Sequence, residues 1–180
     1  MRIISGTCGG RRLNPPKGLP VRPTTDLAKE ALFNILNNRI DFEGLRVLDL
    51  CCGTGSISLE FASRGALSVT AVDSNRACAA FVRAAAGQLG LKVDTVVADV
   101  TRFLHGHRTR YDLIFCDLPY ALPLHHDLVS VIFQNGSLAD EGILIMEHGP
   151  DTDLADMPHF KELRAYGKVR FSFFGASQAQ

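Results

Sequence analysis

The sequence predicts an α/β fold, a mostly parallel sheet covered by helices on both faces and ended by an antiparallel hairpin. Three observations predict it. From residue 44 onward, short apolar strand candidates alternate with helical patterns. Four of those strands end at or near an aspartate: Asp49, Asp73, Asp99 and Asp117. The last two strand candidates are separated only by Gly167-Lys168, the spacing of a tight hairpin.

Each element has its own signal. Thr24, Thr25 and Asp26 are helix N-cap residues just after Pro23. Ala28, Ala31, Leu32 and Ile35 follow at helical spacing, with Lys29, Glu30, Asn34 and Asn38 expected on the solvent side. Residues 47–50 form the first strand candidate, which ends at Gly53-Thr54-Gly55, and a helix is expected over 56–63. A second strand over 68–72 leads to an Ala-rich helix over 75–89. A third strand covers 93–98, a fourth 111–116, a helix 124–133 and a fifth strand 142–147. Residues 163–166 and 169–174 make the terminal hairpin.

The composition narrows the class. With 180 residues, 46% apolar and 21% charged, the chain suits one domain with a sizeable core. No apolar run approaches the roughly 20 residues that span a bilayer, and the start lacks a run of signal-peptide length, so a cytoplasmic, membrane-free protein is expected. The five cysteines, Cys8, Cys51, Cys52, Cys78 and Cys116, include no C-x-x-C pair. They read as buried thiols in a reducing compartment, with no metal site.

Net charge is zero, with 19 basic and 19 acidic residues, yet the charges are segregated. Arg2, Arg11, Arg12, Lys17 and Arg22 lie in residues 1–25 with no acid among them. Short extended segments around Gly9-Gly10 make residues 1–24 a basic β-hairpin arm, followed by the main domain over 25–180. Such an arm on a neutral or acidic body points to an anionic partner, nucleic acid first.

The aspartates point to the site. In an open α/β sheet ligands bind at the carboxyl ends of the strands, so four carboxylates along that edge mark a pocket, although each singly also suits a helix N-cap. The loop after Asp49 has two glycines but Ser58 where a dinucleotide fingerprint has its third. An acid at the start of that loop suits a cationic or amine-bearing ligand better than a phosphate. In Asp117-Leu118-Pro119-Tyr120, the carboxylate and the Leu118 carbonyl can accept two N–H bonds while the Tyr120 ring stacks. That loop can grip a planar ring bearing an exocyclic amine. His125-His126 read as a solvated helix start.

These residues resemble a known family. Val47-Leu48-Asp49-Leu50-Cys51-Cys52-Gly53-Thr54-Gly55 resembles motif I of class I S-adenosylmethionine-dependent methyltransferases. Asp117-Leu118-Pro119-Tyr120 resembles the Asp/Asn/Ser-Pro-Pro-Tyr/Phe motif of amino-group methyltransferases. Met1-Arg2-Ile3-Ile4-Ser5-Gly6, Gly10-Arg11-Arg12-Leu13, Arg22-Pro23-Thr24-Thr25-Asp26 and Glu30-Ala31-Leu32-Phe33-Asn34 resemble the RsmD family, bacterial 16S ribosomal RNA guanine-N2 methyltransferases.

The resemblance implies a Rossmann-like class I methyltransferase fold with a mostly parallel seven-stranded sheet, and S-adenosylmethionine as cofactor. It implies that Asp49, Gly53 and Gly55 hold the amino-acid end of the cofactor, with Cys51, Thr54 and Ser74 alongside. Asp73 would take the ribose hydroxyls, and Asp99 the adenine amino group with Val100 nearby. Asp117, Leu118, Pro119 and Tyr120 would grip the target guanine, and the basic arm would bind 16S rRNA in the small ribosomal subunit or its assembly intermediate. A monomer is expected. The sequence departs from the family at Cys51, where an aromatic residue is usual, and at Leu118, where proline is usual.

Rival readings differ in class. A DNA adenine-N6 methyltransferase would suit the amine grip, but 180 residues leave no room for a target-recognition domain. A nicotinamide dehydrogenase would need the missing glycine fingerprint. A non-catalytic RNA-binding assembly protein would bind RNA without turnover.

Overall fold

The computed structural model describes residues 1–19 and 25–175. Arg22 and the expected boundary after residue 24 lie outside them. Helix α1 spans Asp26–Asn37, strand β1 Arg46–Leu50, α2 Ser56–Ser63, β2 Ser68–Asp73, α3 Arg76–Leu89 and β3 Val93–Val97. Then come α4 Val100–Gly106, β4 Tyr111–Asp117, α5 His125–Gln134, β5 Leu138–His148, β6 Phe160–Tyr166 and β7 Val169–Gly175.

The strands form one seven-stranded sheet in the order β3-β2-β1-β4-β5-β7-β6. β1 to β5 run parallel, and β7 inserts antiparallel between β5 and β6. The order reverses between β1 and β4, so a crevice opens at the carboxyl ends of these two strands. Apolar layers cover both faces. Leu104, Leu128, Val129 and Ile132 pack on one, and Leu32, Phe33, Leu36 and Phe61 on the other.

Helix starts follow the expected chemistry. Thr25 caps α1 by accepting the Ala28 N–H at 3.2 Å, and Asn75 caps α3 through Ala77 and Cys78. α4 was not expected from sequence. Seven residues carry too little periodicity to show it, and Asp99 reveals it only as the cap that accepts the Arg102 N–H at 3.0 Å. β5 is longer than expected because it begins before the register irregularity opposite Tyr111 and Leu113.

The N-terminal segment is docked rather than projecting. Ile3 and Arg11 pair through the backbone, as do Leu13 and Met1, with one antiparallel bridge between Arg2 and Arg12. Ile3 and Leu13 bury against Leu59, Ala85 and Ala86 of α2 and α3. Gly6 meets the end of α2 so closely that a Cβ there would lie 1.9 Å from the Ser63 carbonyl oxygen.

Lys29 corrects the sequence reading. It was expected on the solvent side of α1 and is 1% exposed. Its ammonium lies 3.0 Å from Glu60 Oε2 and donates to the Arg2 carbonyl at 2.9 Å.

Candidate active site

A cavity of about 570 Å³ opens at the switch point, within the range of small-molecule sites. Asp49, Asp73, Asp99 and Asp117 all line it, each from the carboxyl end of a different strand or the turn just after it.

The loop after β1 builds one wall. Cys51 sits at φ 61, a left-handed conformation that is strained for a residue with a side chain. The bend sends Gly53 toward β2, where its N–H donates to Asp73 Oδ2 at 2.8 Å. The other Asp73 oxygen accepts the Asn75 N–H at 2.8 Å. Asp73 thus fastens the glycine loop to the start of α3, and each of its oxygens keeps further acceptor capacity. Cys51, Gly53, Thr54, Ser74 and Val100 also line the cavity. Gly55 is not among the lining residues. It caps α2 at φ 72, and a Cβ there would meet Val82 Cγ2 at 2.6 Å, so the glycine answers to packing against α3.

Asp49 is fully buried and accepts the Ser58 hydroxyl. Burial pushes its carboxyl up to about 7, against the lowering by the Ser58 bonds. Burial also pushes the Cys51 thiol up to about 12, with Asp73 and Asp117 adding to the rise, and pushes Cys52 up as well. Both thiols stay protonated near neutral pH, so neither is a nucleophile. Several carboxylates beside a thiol make a negative pocket, which suits a ligand with positive charge.

The opposite wall is the turn after β4. The Leu118 side chain is buried in the core, packed under α5. That burial anchors the turn at the position where the resembled motif carries a proline. Pro119 is exposed, and its carbonyl accepts the Leu122 N–H at 2.9 Å, closing the turn. Tyr120 is half-buried, and its hydroxyl donates to Glu147 Oε1 at 3.4 Å. Its ring lies against Gly149, where a Cβ would come within 3.0 Å of Cδ2.

Sequence reasoning missed Glu147 as a pocket residue. It is 3% exposed, lines the cavity and lies next to the last residue of the fifth strand, near the strand end as the four aspartates are in theirs. That repetition was the available signal. His125 was read as solvated and is buried. It lies edge-on to His148 with ring centroids 6.3 Å apart. Burial lowers the pKa of both rings, so both are neutral near pH 7.

The described basic residues of the N-terminal segment lie elsewhere. Arg2 pairs with Glu30, while Arg11, Arg12 and Lys17 are exposed, and none of the four lines the cavity. Arg11 donates its N–H to the Cys8 carbonyl, and Cys8 donates to Ser63 Oγ at the far end of α2. Eight helical residues, roughly 12 Å of axis, separate that end from the glycine loop. Among the described residues, no helix is long and apolar enough to cross a membrane.

The whole chain is similar to known proteins. The family model described as conserved hypothetical protein 95 matches residues 1–175. YlbH of Bacillus subtilis is 33% identical over 161 residues, covering 87% of this chain and 86% of that protein. Ribosomal RNA small subunit methyltransferase D of Escherichia coli K12 is 31% identical over 159 residues, covering 88% and 79%. The solved structure of Escherichia coli yhhF superposes with a TM-score of 0.87 at 29% identity, covering 99% of both chains. The Thermus thermophilus 16S rRNA N2 G1207 methyltransferase RsmC, solved with AdoMet and guanosine, reaches 0.73 at 21% identity and covers 88% of this chain and 45% of that one, a likeness of fold. The model match over nearly the whole chain and the two relatives above 30% identity place the protein in the family described as conserved hypothetical protein 95, the RsmD family.

Proposed function

We propose that this protein is an S-adenosylmethionine-dependent methyltransferase acting on the exocyclic N2 amine of a guanine in 16S rRNA during small-subunit assembly. The observation that carries the reading is one cavity lined by both loops, the glycine loop after β1 and the Asp117–Tyr120 turn after β4. The names of the relatives, rRNA methyltransferases, support methyl transfer to rRNA.

The cavity's residues fit this cofactor. Asp49 and the Cys51–Gly53 backbone would face its cationic amino-acid end, Asp73 its ribose, and Asp99 with Val100 its adenine. The cofactor supplies a methyl group on a sulfonium, a good leaving group at neutral pH.

The chain's own residues prepare the acceptor. Guanine N2 is a weak nucleophile because its lone pair is delocalised into the ring. Asp117 Oδ and the Leu118 carbonyl would each accept one of its N–H bonds, which favours a pyramidal nitrogen with its lone pair directed out of the ring plane. These acceptors are matched to the positive charge that develops on nitrogen, so they stabilise the transition state more than the ground state. Tyr120 replaces a neighbouring base by stacking on the one taken from its helix. Asp117 or water takes the proton that becomes acidic after transfer. Arg11, Arg12 and Lys17 would bind phosphates, adding affinity with little sequence readout.

Asp117→Ala tests the reading. It should lower kcat by far more than the tenfold that about 1.4 kcal/mol represents. Affinity for S-adenosylhomocysteine, read by calorimetry, should stay within about threefold, under 1 kcal/mol. Transfer retained above about a tenth of the wild-type rate would remove Asp117 from the chemistry.

A further inference from the structure

Asp117 and Glu147 are Cα partners in the parallel ladder of β4 and β5. Residues paired in this way leave the same face of the sheet, on strands about 4.8 Å apart. Both line the cavity, and Glu147 is almost wholly buried there. The Tyr120 hydroxyl donates to its Oε1 and so orients the carboxylate beside the ring expected to stack on the target base.

A base gripped by its amine brings its ring neighbours along. In guanine the amine-bearing carbon lies between N3 and N1, and N1 carries a hydrogen. In adenine and cytosine the ring nitrogen beside the amine is a bare acceptor. A second carboxylate next to the amine grip therefore accepts a hydrogen bond from guanine and meets a lone pair in the other two bases.

We propose that Glu147 is a specificity-determining residue that selects guanine by accepting its N1–H while Asp117 and Leu118 hold N2. The inference rests on the guanine-N2 reading above and names how that site recognises its base.

The test uses the full chain, labelled S-adenosylmethionine and small ribosomal subunits that lack the modification. Glu147→Gln should lose at least about 30-fold in kcat/KM, the scale of a lost charge-assisted hydrogen bond. It should still bind S-adenosylhomocysteine. Tyr120→Phe, which keeps the ring and removes the hydroxyl that orients Glu147, should also lose activity, but clearly less than Glu147→Gln. Equal losses in the two variants would overturn the proposal, because Glu147 would then act only through Tyr120. A Glu147→Gln variant as active as wild type would overturn it too.

A competition on the wild-type protein covers the case of a variant that does not fold. Guanosine should inhibit transfer at least about tenfold more strongly than 2-aminopurine riboside, which keeps the 2-amino group but has a bare N1. Equal inhibition, or none from either, would overturn the proposal. Failure of the wild-type enzyme to form N2-methylguanosine would instead overturn the guanine-N2 reading beneath it.

Discussion

Lys29 Nζ lies 3.0 Å from Glu60 Oε2, and the two side chains are 1% and 0% exposed. Glu60 also accepts the Ile4 and Ser5 N–H groups and the Arg64 guanidinium. One buried carboxylate thus joins the N-terminal segment, α1 and α2. Burial lowers the Lys29 pKa, and Glu60 opposes that shift.

Removing one partner of such a pair strands the other. Lys29→Met should cost about 3–5 kcal/mol of stability in urea unfolding. A loss under about 1 kcal/mol would mean that water replaces the ammonium and that the junction is not a tight one.

Asp49 predicts a pH dependence. A ligand with a cationic amino-acid end favours the ionised carboxyl, which is pushed up to about 7 in the folded chain. Affinity for S-adenosylhomocysteine should therefore fall as pH drops below about 7, approaching tenfold per unit, and level off above it. Stability runs the opposite way. A carboxyl whose folded pKa is raised contributes most below its unfolded value, and that contribution is lost as pH rises from about 4 through about 7. Asp49→Asn should gain thermal stability relative to wild type at pH 8 and lose that advantage near pH 4. A flat affinity profile by calorimetry would separate Asp49 from the ligand.

Gly55 separates packing from ligand contact. Gly55→Ala places a methyl 2.6 Å from Val82 Cγ2 at a positive φ. It should destabilise the chain by about 1–3 kcal/mol. Cofactor affinity at low temperature, where the variant is folded, should stay near wild type. An equally stable variant with weakened S-adenosylhomocysteine binding would return Gly55 to the cofactor wall.

Arg11 and Arg12 are exposed and lie near the far end of α2 from the glycine loop. Replacing both with Glu should weaken binding to 16S rRNA and reduce the slope of log affinity against log salt by about 1–2. An unchanged slope would remove the hairpin from the RNA interface.

Much of this was legible in the sequence, because the fold rests on local signals. Strands at 47–50 and 111–116 are short apolar runs, and their terminal aspartates lie where the cavity opens. What the sequence hid depends on partners distant along the chain. Lys29 looks solvated until Glu60, far along the chain, is placed beside it. His125 looks like a surface helix start until His148 covers it. Gly55 and Gly53 look alike in the motif, and only the positions of Val82 and Asp73 give them different tasks. Glu147 needed the register of β4 against β5 before its neighbour was known to be Asp117.

The most direct test of the account is methyl transfer from labelled S-adenosylmethionine to small ribosomal subunits lacking the modification, with the product nucleoside identified by mass spectrometry. The account predicts N2-methylguanosine at a single position of 16S rRNA. No incorporation, or label in N6-methyladenosine, would contradict it.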